Sequence, residues 1–290
     1  KYENLSRTID SIRENVTGDY EVIVGFNGPP FYDFPDVLSV KLPRDIGIKN
    51  NINILCAMAE GKYIYKSDAH CRFGKGFDEI LQADMEDDWI VMPRFKIIKD
   101  DWSIQMRDGV EEFYDYFYLC CPFTDPRGFR FKAGGHWKEK TTEMLREENT
   151  GFETLDELDQ VYKPDIDETP QIHGSGWFIT KDHYFKLGGF PCIDPEGHAQ
   201  EPIWLALKNW LDGGKVMVNK KTWYAHLHQN NSVKGYHFTR DQERVSYDIA
   251  ARTFMKDPRM VGWLEKFLPM PTWPENWREL LSKWREENNL

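Results

Sequence analysis

Residues 62–73 read KYIYKSDAHCRF. The first half has the apolar and aromatic content of a buried strand. It ends by presenting Asp68 and His70, one residue apart. Side chains at i and i+2 of an extended segment point the same way, so a carboxylate oxygen and an imidazole nitrogen share one side. That pair suits Mn²⁺ and similar divalent ions. Two protein ligands rarely suffice, so a third is expected from elsewhere. YAHLHQ, residues 224–229, offers His226 and His228 at the end of another strand. These two also share a face, and spacing does not choose between them. The plain structural alternatives are an Asp68 that caps the next loop and a His226 that is a hydrogen-bonded core histidine.

Around this stretch the chain alternates in type. KYENLSRTIDSIREN, residues 1–15, has helical spacing, with Leu5, Ile9, Ile12 and Val16 on one face. EVIVGFNG (21–28) and VLSVKL (37–42) read as strands. DIGIKNNINILCAMAEG (45–61) reads as a helix capped by Asp45 and stopped by Gly61. A helix over 75–85 and a strand over 89–95 follow. Strand, helix, strand, helix, strand is the rhythm of an α/β fold with a mainly parallel central sheet, in which ligands sit beyond the carboxyl ends of the strands. SDAHC lies at such an end.

The middle breaks the rhythm. Residues 122–140 are loop-like and basic, with Arg127, Arg130, Lys132, Lys138 and Lys140, and residues 143–168 are strongly acidic. Both belong to an expected insertion over about residues 120–170, a lid or an acceptor-binding loop, against the alternative of a solvated excursion. Order returns with GSGWFITKDHYFKLGGF (174–190), a strand and a short helix, and EPIWLALKNWLDGG (201–214), an amphipathic helix. KVMVNKKTWYAHLHQ (215–229) predicts two more strands. The expected organisation is a catalytic domain over 1–235 and a helical C-terminal extension over 236–290. Trp277, Leu280, Leu281 and Trp284 form the docking face of its last helix.

Composition narrows the function classes. The net charge of -11 repels nucleic acid and anionic membranes overall, although a local basic patch stays compatible with it. No run of about 18 apolar residues predicts a membrane span, and no secretory signal is visible. The five cysteines are scattered and form no CxxC pair, which predicts a reducing, cytoplasmic setting. The 11 Trp and 18 Phe exceed what a core of this size needs, so some are expected to line a groove.

GKYIYKSDAHCRFGKGFDEIL (61–81) resembles the strand and metal motif of the GT-A glycosyltransferases. Its Asp-x-His form is similar to that of the polypeptide N-acetylgalactosaminyltransferases. DAHCRFGKGFDEIL also resembles the cytoplasmic N-acetylglucosaminyltransferases that modify hydroxyproline. GIKNNINILCAMAEG matches the spacing of the family at Gly47, Asn53, Ala59 and Gly61. GSGWFITKDHYFKLGGF looks like its Gly-Gly-x-Phe strand and helix, and QEPIWLALKNWLDGGKV like its Gly-Glu-Asn segment. YAHLH aligns with Val-Gly-His, which favours His226 over His228 as third ligand. The resemblance spans roughly residues 1–100 and 170–230.

The resemblance implies a Rossmann-like nucleotide-sugar fold and a Mn²⁺ or Mg²⁺ ion held by Asp68, His70 and His226. It implies a UDP-sugar donor and Glu201 reaching the sugar or the acceptor. Asn27, Arg44, Gly47, Lys49, Asn53, Ser67, Ala69, Gly176 and Trp177 are the implied donor-binding residues. Three departures stand out. The family opens with a base-binding strand, whereas this sequence begins in the helix after it, so that strand is expected either ahead of the given sequence or from another segment. Asn27 stands where the family has an acid. Gln200-Glu201-Pro202 replaces Gly-Glu-Asn. The expected activity is retaining sugar transfer to a hydroxyl on a protein, a polysaccharide or a hydroxymethylated viral DNA base. The DNA acceptor rests on Arg127, Arg130, Lys132 and Lys138, which could track phosphates. A non-catalytic carbohydrate-binding relative and a metal-dependent hydrolase are the competing readings.

Overall fold

Leu5 and Ile9 lie one turn apart, and helix α1 (Tyr2–Asn15) buries both against the body of the protein. The computed structural model describes residues 2–107, 109–135, 164–191, 201–228 and 240–289. Thr8 and Ser11 lie on the buried face of α1 as well, and their hydroxyls accept the backbone N–H groups of Cys71 and Phe73 at 3.0 and 3.1 Å. The first helix is thereby stitched to the segment that follows the Asp-x-His pair.

Strands β1 (Ile23–Asn27) and β2 (Leu38–Leu42) pair in parallel as a separate two-stranded sheet. Helix α2 (Ile48–Met58) starts later than expected. Its N-cap is Gly47, whose φ of 83° suits glycine and disfavours other residues. Asp45 instead folds back, its Oδ1 accepting the Gly47 N–H at 2.8 Å. The helix ends at Met58 with Ala59 as cap, so Gly61 lies beyond it.

Strand β3 (Tyr63–Ser67) leads through Asp68 to β4 (Cys71–Phe73), α3 (Phe77–Ala83) and β5 (Trp89–Ile98). The short strands β6 (Met106–Arg107), β7 (Val110–Glu111) and β8 (Phe113–Tyr114) follow. β9 (Tyr116–Leu119) then pairs with β10 (Phe131–Gly135), so the described part of the insertion opens as a hairpin. After β11 (Ile166–Glu168) come β12 (Gly176–Thr180), α4 (Lys181–Lys186) and α5 (Glu201–Leu211). Thr180 caps α4 by accepting the His183 N–H at 3.2 Å.

Residues 215–227 form one strand, β13, where two were expected. Its register against β5 shifts between Asn219 and Trp223, opposite Pro93 and Arg94. Pro93 has no N–H to donate, so the ladder breaks there and the partner strand bulges instead of ending.

The central sheet runs β11-β13-β5-β12-β3, with β4 beside β13 and β8 beside β5. Strands β3, β5 and β13 point the same way, as the alternating rhythm predicts. β12 returns from the insertion and wedges between β3 and β5, antiparallel to both. The sheet is therefore mixed, with β5–β13 its parallel pair among the described residues.

Three C-terminal helices, α6 (Arg240–Met255), α7 (Arg259–Phe267) and α8 (Trp277–Glu287), complete the chain. Phe254, Trp263, Trp277 and Leu281 join the same buried cluster as the sheet residues Val91, Phe178 and Val216. Leu280 and Trp284, expected on the same docking face, are half-buried. The Trp273 indole N–H donates to Leu119 O at 2.6 Å, tying this region to β9. Cys56, Cys71, Cys120 and Cys121 are buried free thiols, and Cys192 lies outside the described residues. Burial pushes the Cys56 and Cys71 thiols up to about 12.

Candidate active site

Strand ends bring the Asp-x-His pair and the second histidine together. The Asp68 N–H donates to Ser175 O at 3.0 Å, just before β12, and the His70 carbonyl accepts the Leu227 N–H at 3.0 Å. Pairing of β4 with β13 sets His226 opposite Cys71. The result is a cluster of Asp68, His70 and His226 whose ligand atoms all lie within 4.8 Å of one another. It sits at the carboxyl ends of β3 and β13.

Asp68 uses its two oxygens differently. Oδ1 accepts from the Lys66 ammonium at 2.5 Å. Oδ2 faces the histidines, 3.3 Å from His226 Nε2 and 4.0 Å from His70 Nε2. Burial works against the charged carboxylate, but the Lys66 cation and His226 outweigh it and hold Asp68 well below the usual range. Burial, with His226 beside it, pushes His70 down to about 4. At neutral pH the pair is therefore a carboxylate and a neutral imidazole, the protonation states that a metal ion requires.

The ring nitrogens of His226 are buried, Nδ1 has no hydrogen-bond partner, and Nε2 meets only the Asp68 carboxylate, at 3.3 Å. Buried polar groups are usually satisfied, and an imidazole so poorly partnered beside a carboxylate fits a cation site. One carboxylate oxygen and two imidazole nitrogens form a donor set suited to Mn²⁺. His226, not His228, completes the cluster. His228 is exposed, its ring 4.9 Å from that of His226 and beside an open groove lined by Ile97, Lys99, Asp100 and Gln105.

Comparison with known proteins adds the fold. No protein-family model matches the sequence, and no curated protein matches it either. Among solved structures, GalNAc-T7 with UDP, GalNAc and Mn²⁺ superposes over 100% of this chain with a TM-score of 0.65 at 16% identity. The chain has the GT-A fold. It spans about half, 53%, of the GalNAc-T7 chain. The S. aureus protein TarS, in complex with UDP-GlcNAc, is also similar, covering 92% of this chain and 73% of its own at 11% identity and a TM-score of 0.47.

The first turn of α5 lies close enough to the cluster for Lys66 and Asp68 to act electrostatically on Glu201. Glu201 opens that helix, and Gly174 packs so closely that a methyl group there would lie 2.8 Å from Glu201 Oε1. Burial raises the Glu201 carboxyl above its ordinary value, while Lys66 and Lys49 pull it back down. Lys49 is buried 5.7 Å from the centre of the Trp204 ring.

The other expected donor residues divide. Ser67 and Ala69 flank Asp68 directly, and the Ser67 hydroxyl donates to Asp68 O at 2.9 Å. Asn27 accepts the Ile46 N–H at 2.8 Å and donates to Asp45, so it fastens the loop before α2. Arg44 in that loop is exposed, and Gly47 caps α2. Asn53 commits its amide to the protein, accepting from the Phe190 N–H and the Tyr184 hydroxyl and donating to Phe190 O. Gly176 lies against the Tyr224 ring, where a methyl group would come within 2.6 Å. Trp177, expected beside the sugar pocket, is 0% exposed and stacks on Tyr184, so among the described residues it packs in the core.

Sequence reasoning missed Lys66 and His173. His173 Nδ1 accepts the Ser175 N–H at 3.1 Å, and its ring lies 5.5 Å from that of His226. Burial, with His226 and His228 nearby, holds His173 well below its ordinary range. The basic run is partly spoken for. Arg130 pairs with Asp125 at 3.2 Å and Arg127 with Glu243 at 3.3 Å. Lys132 is exposed, and Lys138 lies outside the described residues.

Proposed function

We propose that this chain is a divalent-cation-dependent glycosyltransferase that moves a sugar from a UDP-sugar to a hydroxyl acceptor with retention. The observation that carries the reading is the convergence of Asp68, His70 and His226 at the carboxyl ends of two strands in a GT-A fold. The similar GalNAc-T7 structure contains UDP, GalNAc and Mn²⁺, which supports a nucleotide-sugar site of this kind. When bound, a divalent ion would neutralise the charge that develops on the departing nucleoside diphosphate.

The residues of the chain divide the remaining work. Asp68 and His70 present ligand atoms in the correct protonation state before any ion arrives. Glu201, held at the mouth of α5 by the close packing of Gly174, orients the sugar hydroxyls. Lys49 is a buried cation on the same side and would face the diphosphate. The donor is a hexose or an N-acetylhexosamine. The acceptor is a hydroxyl of a protein or a polysaccharide. The pairing of Arg127 and Arg130 with acids leaves a DNA acceptor fewer available cations.

A thermal-shift panel of UDP-, GDP-, dTDP- and CMP-sugars, each with Mn²⁺ and with EDTA, tests the reading. A ligand that binds only the folded state raises its melting temperature. A shift with a UDP-sugar that appears with Mn²⁺ and disappears with EDTA is expected. A shift indifferent to EDTA would instead support a carbohydrate-binding protein, and no shift with any donor would reject the transferase.

A further inference from the structure

The cation already inside the site is a lysine. Lys66 stands two residues before Asp68, so both side chains leave the extended chain on one side. Its side chain is 9% exposed. Its ammonium donates to Asp68 Oδ1 and to Gly174 O, the carbonyl of the glycine that packs on Glu201. The charges facing one another here are Asp68 and Glu201 against Lys66, with Lys49 near Glu201. Hydrogen-bonded to the carboxylate and shielded from screening salt, the Lys66 ammonium is a positive charge set against the group that must hold a divalent ion.

We propose that Lys66 is a built-in counter-cation that makes divalent-ion binding at Asp68, His70 and His226 conditional on the diphosphate. The proposal rests on the transferase reading above. Before nucleotide arrives, Lys66 neutralises Asp68 and repels a second cation. A nucleoside diphosphate brings negative charge that offsets both cations at once. Ion and diphosphate then bind as a coupled pair, and the coupling is reciprocal by thermodynamic necessity. Lys66 also turns the carboxylate, engaging Oδ1 so that Oδ2 faces both histidines.

The test measures free Mn²⁺ by electron paramagnetic resonance, with and without UDP, on the wild type, Lys66→Met, Lys66→Gln and Lys66→Arg. This readout needs no turnover. The wild type is expected to bind Mn²⁺ weakly alone and much more tightly with UDP. Lys66→Met should bind Mn²⁺ alone at least about tenfold more tightly, and the tightening by UDP should shrink by a similar factor. Lys66→Gln can still donate to Gly174 O, and it should behave like Met even where the Met variant folds poorly. Lys66→Arg keeps the charge and should keep the wild-type coupling. Neutral variants that bind Mn²⁺ alone no more tightly than the wild type would overturn the proposal. A wild type that binds no Mn²⁺ even with UDP would remove the transferase reading and this inference with it.

Discussion

Replacing Asp68 with Asn is expected to lower kcat/KM for sugar transfer by about a hundredfold to a thousandfold. Asp68 is the sole carboxylate of the ligand cluster. Asn keeps its shape and removes the charge that would hold the ion. The variant also leaves Lys66 without its anion, and breaking a buried pair lowers stability. Rates must therefore be measured well below the melting temperature, which is recorded alongside. Raising Mn²⁺ should restore little, because the missing charge belongs to the site. An Asp68→Asn enzyme within tenfold of the wild type would show that the cluster does not carry the chemistry.

The second large effect is on stability. Trp177→Ala should destabilise the protein by about 3–5 kcal/mol, the range for removing a fully buried large aromatic. Trp177 is 0% exposed and packs in a triangle of rings with Tyr184, stacked at 6.1 Å, and Phe190, edge-on at 6.4 Å. Deleting the indole opens a cavity between β12 and α4. Urea unfolding should show a lower midpoint with an unchanged slope. A Trp177 that served as a pocket wall would behave in the opposite way, with stability near wild type and a raised donor KM. That pattern would contradict the packing described here.

Much of the site was legible because its signals are short-range. Asp68 and His70 announce themselves through the two-residue period of a strand end. Leu5 and Ile9 announce α1 through the helical period. Other features depend on contacts far apart in sequence. Spacing leaves His226 and His228 equivalent and only the family resemblance favours His226; the β4–β13 register, which no local pattern encodes, is what sets His226 opposite Cys71. Asn53 fits a donor-site spacing, yet its amide is taken by Phe190, 137 residues away. Lys66 reads as an ordinary strand lysine until the fold buries it beside Asp68. The wedge of β12 between β3 and β5 is likewise invisible to a strand-helix rhythm, because the strand arrives after an insertion. Thr8 and Ser11 look like surface breaks in an apolar face, and become acceptors only once β4 lies against α1.

Crystals grown with Mn²⁺ and UDP, with diffraction recorded on either side of the manganese absorption edge, test the cation site most directly. One strong anomalous peak is expected, bounded by the Asp68 carboxylate and the imidazoles of His70 and His226. This peak should vanish in His226→Ala. A manganese peak elsewhere on the chain, or none in crystals that contain UDP, would contradict this assignment.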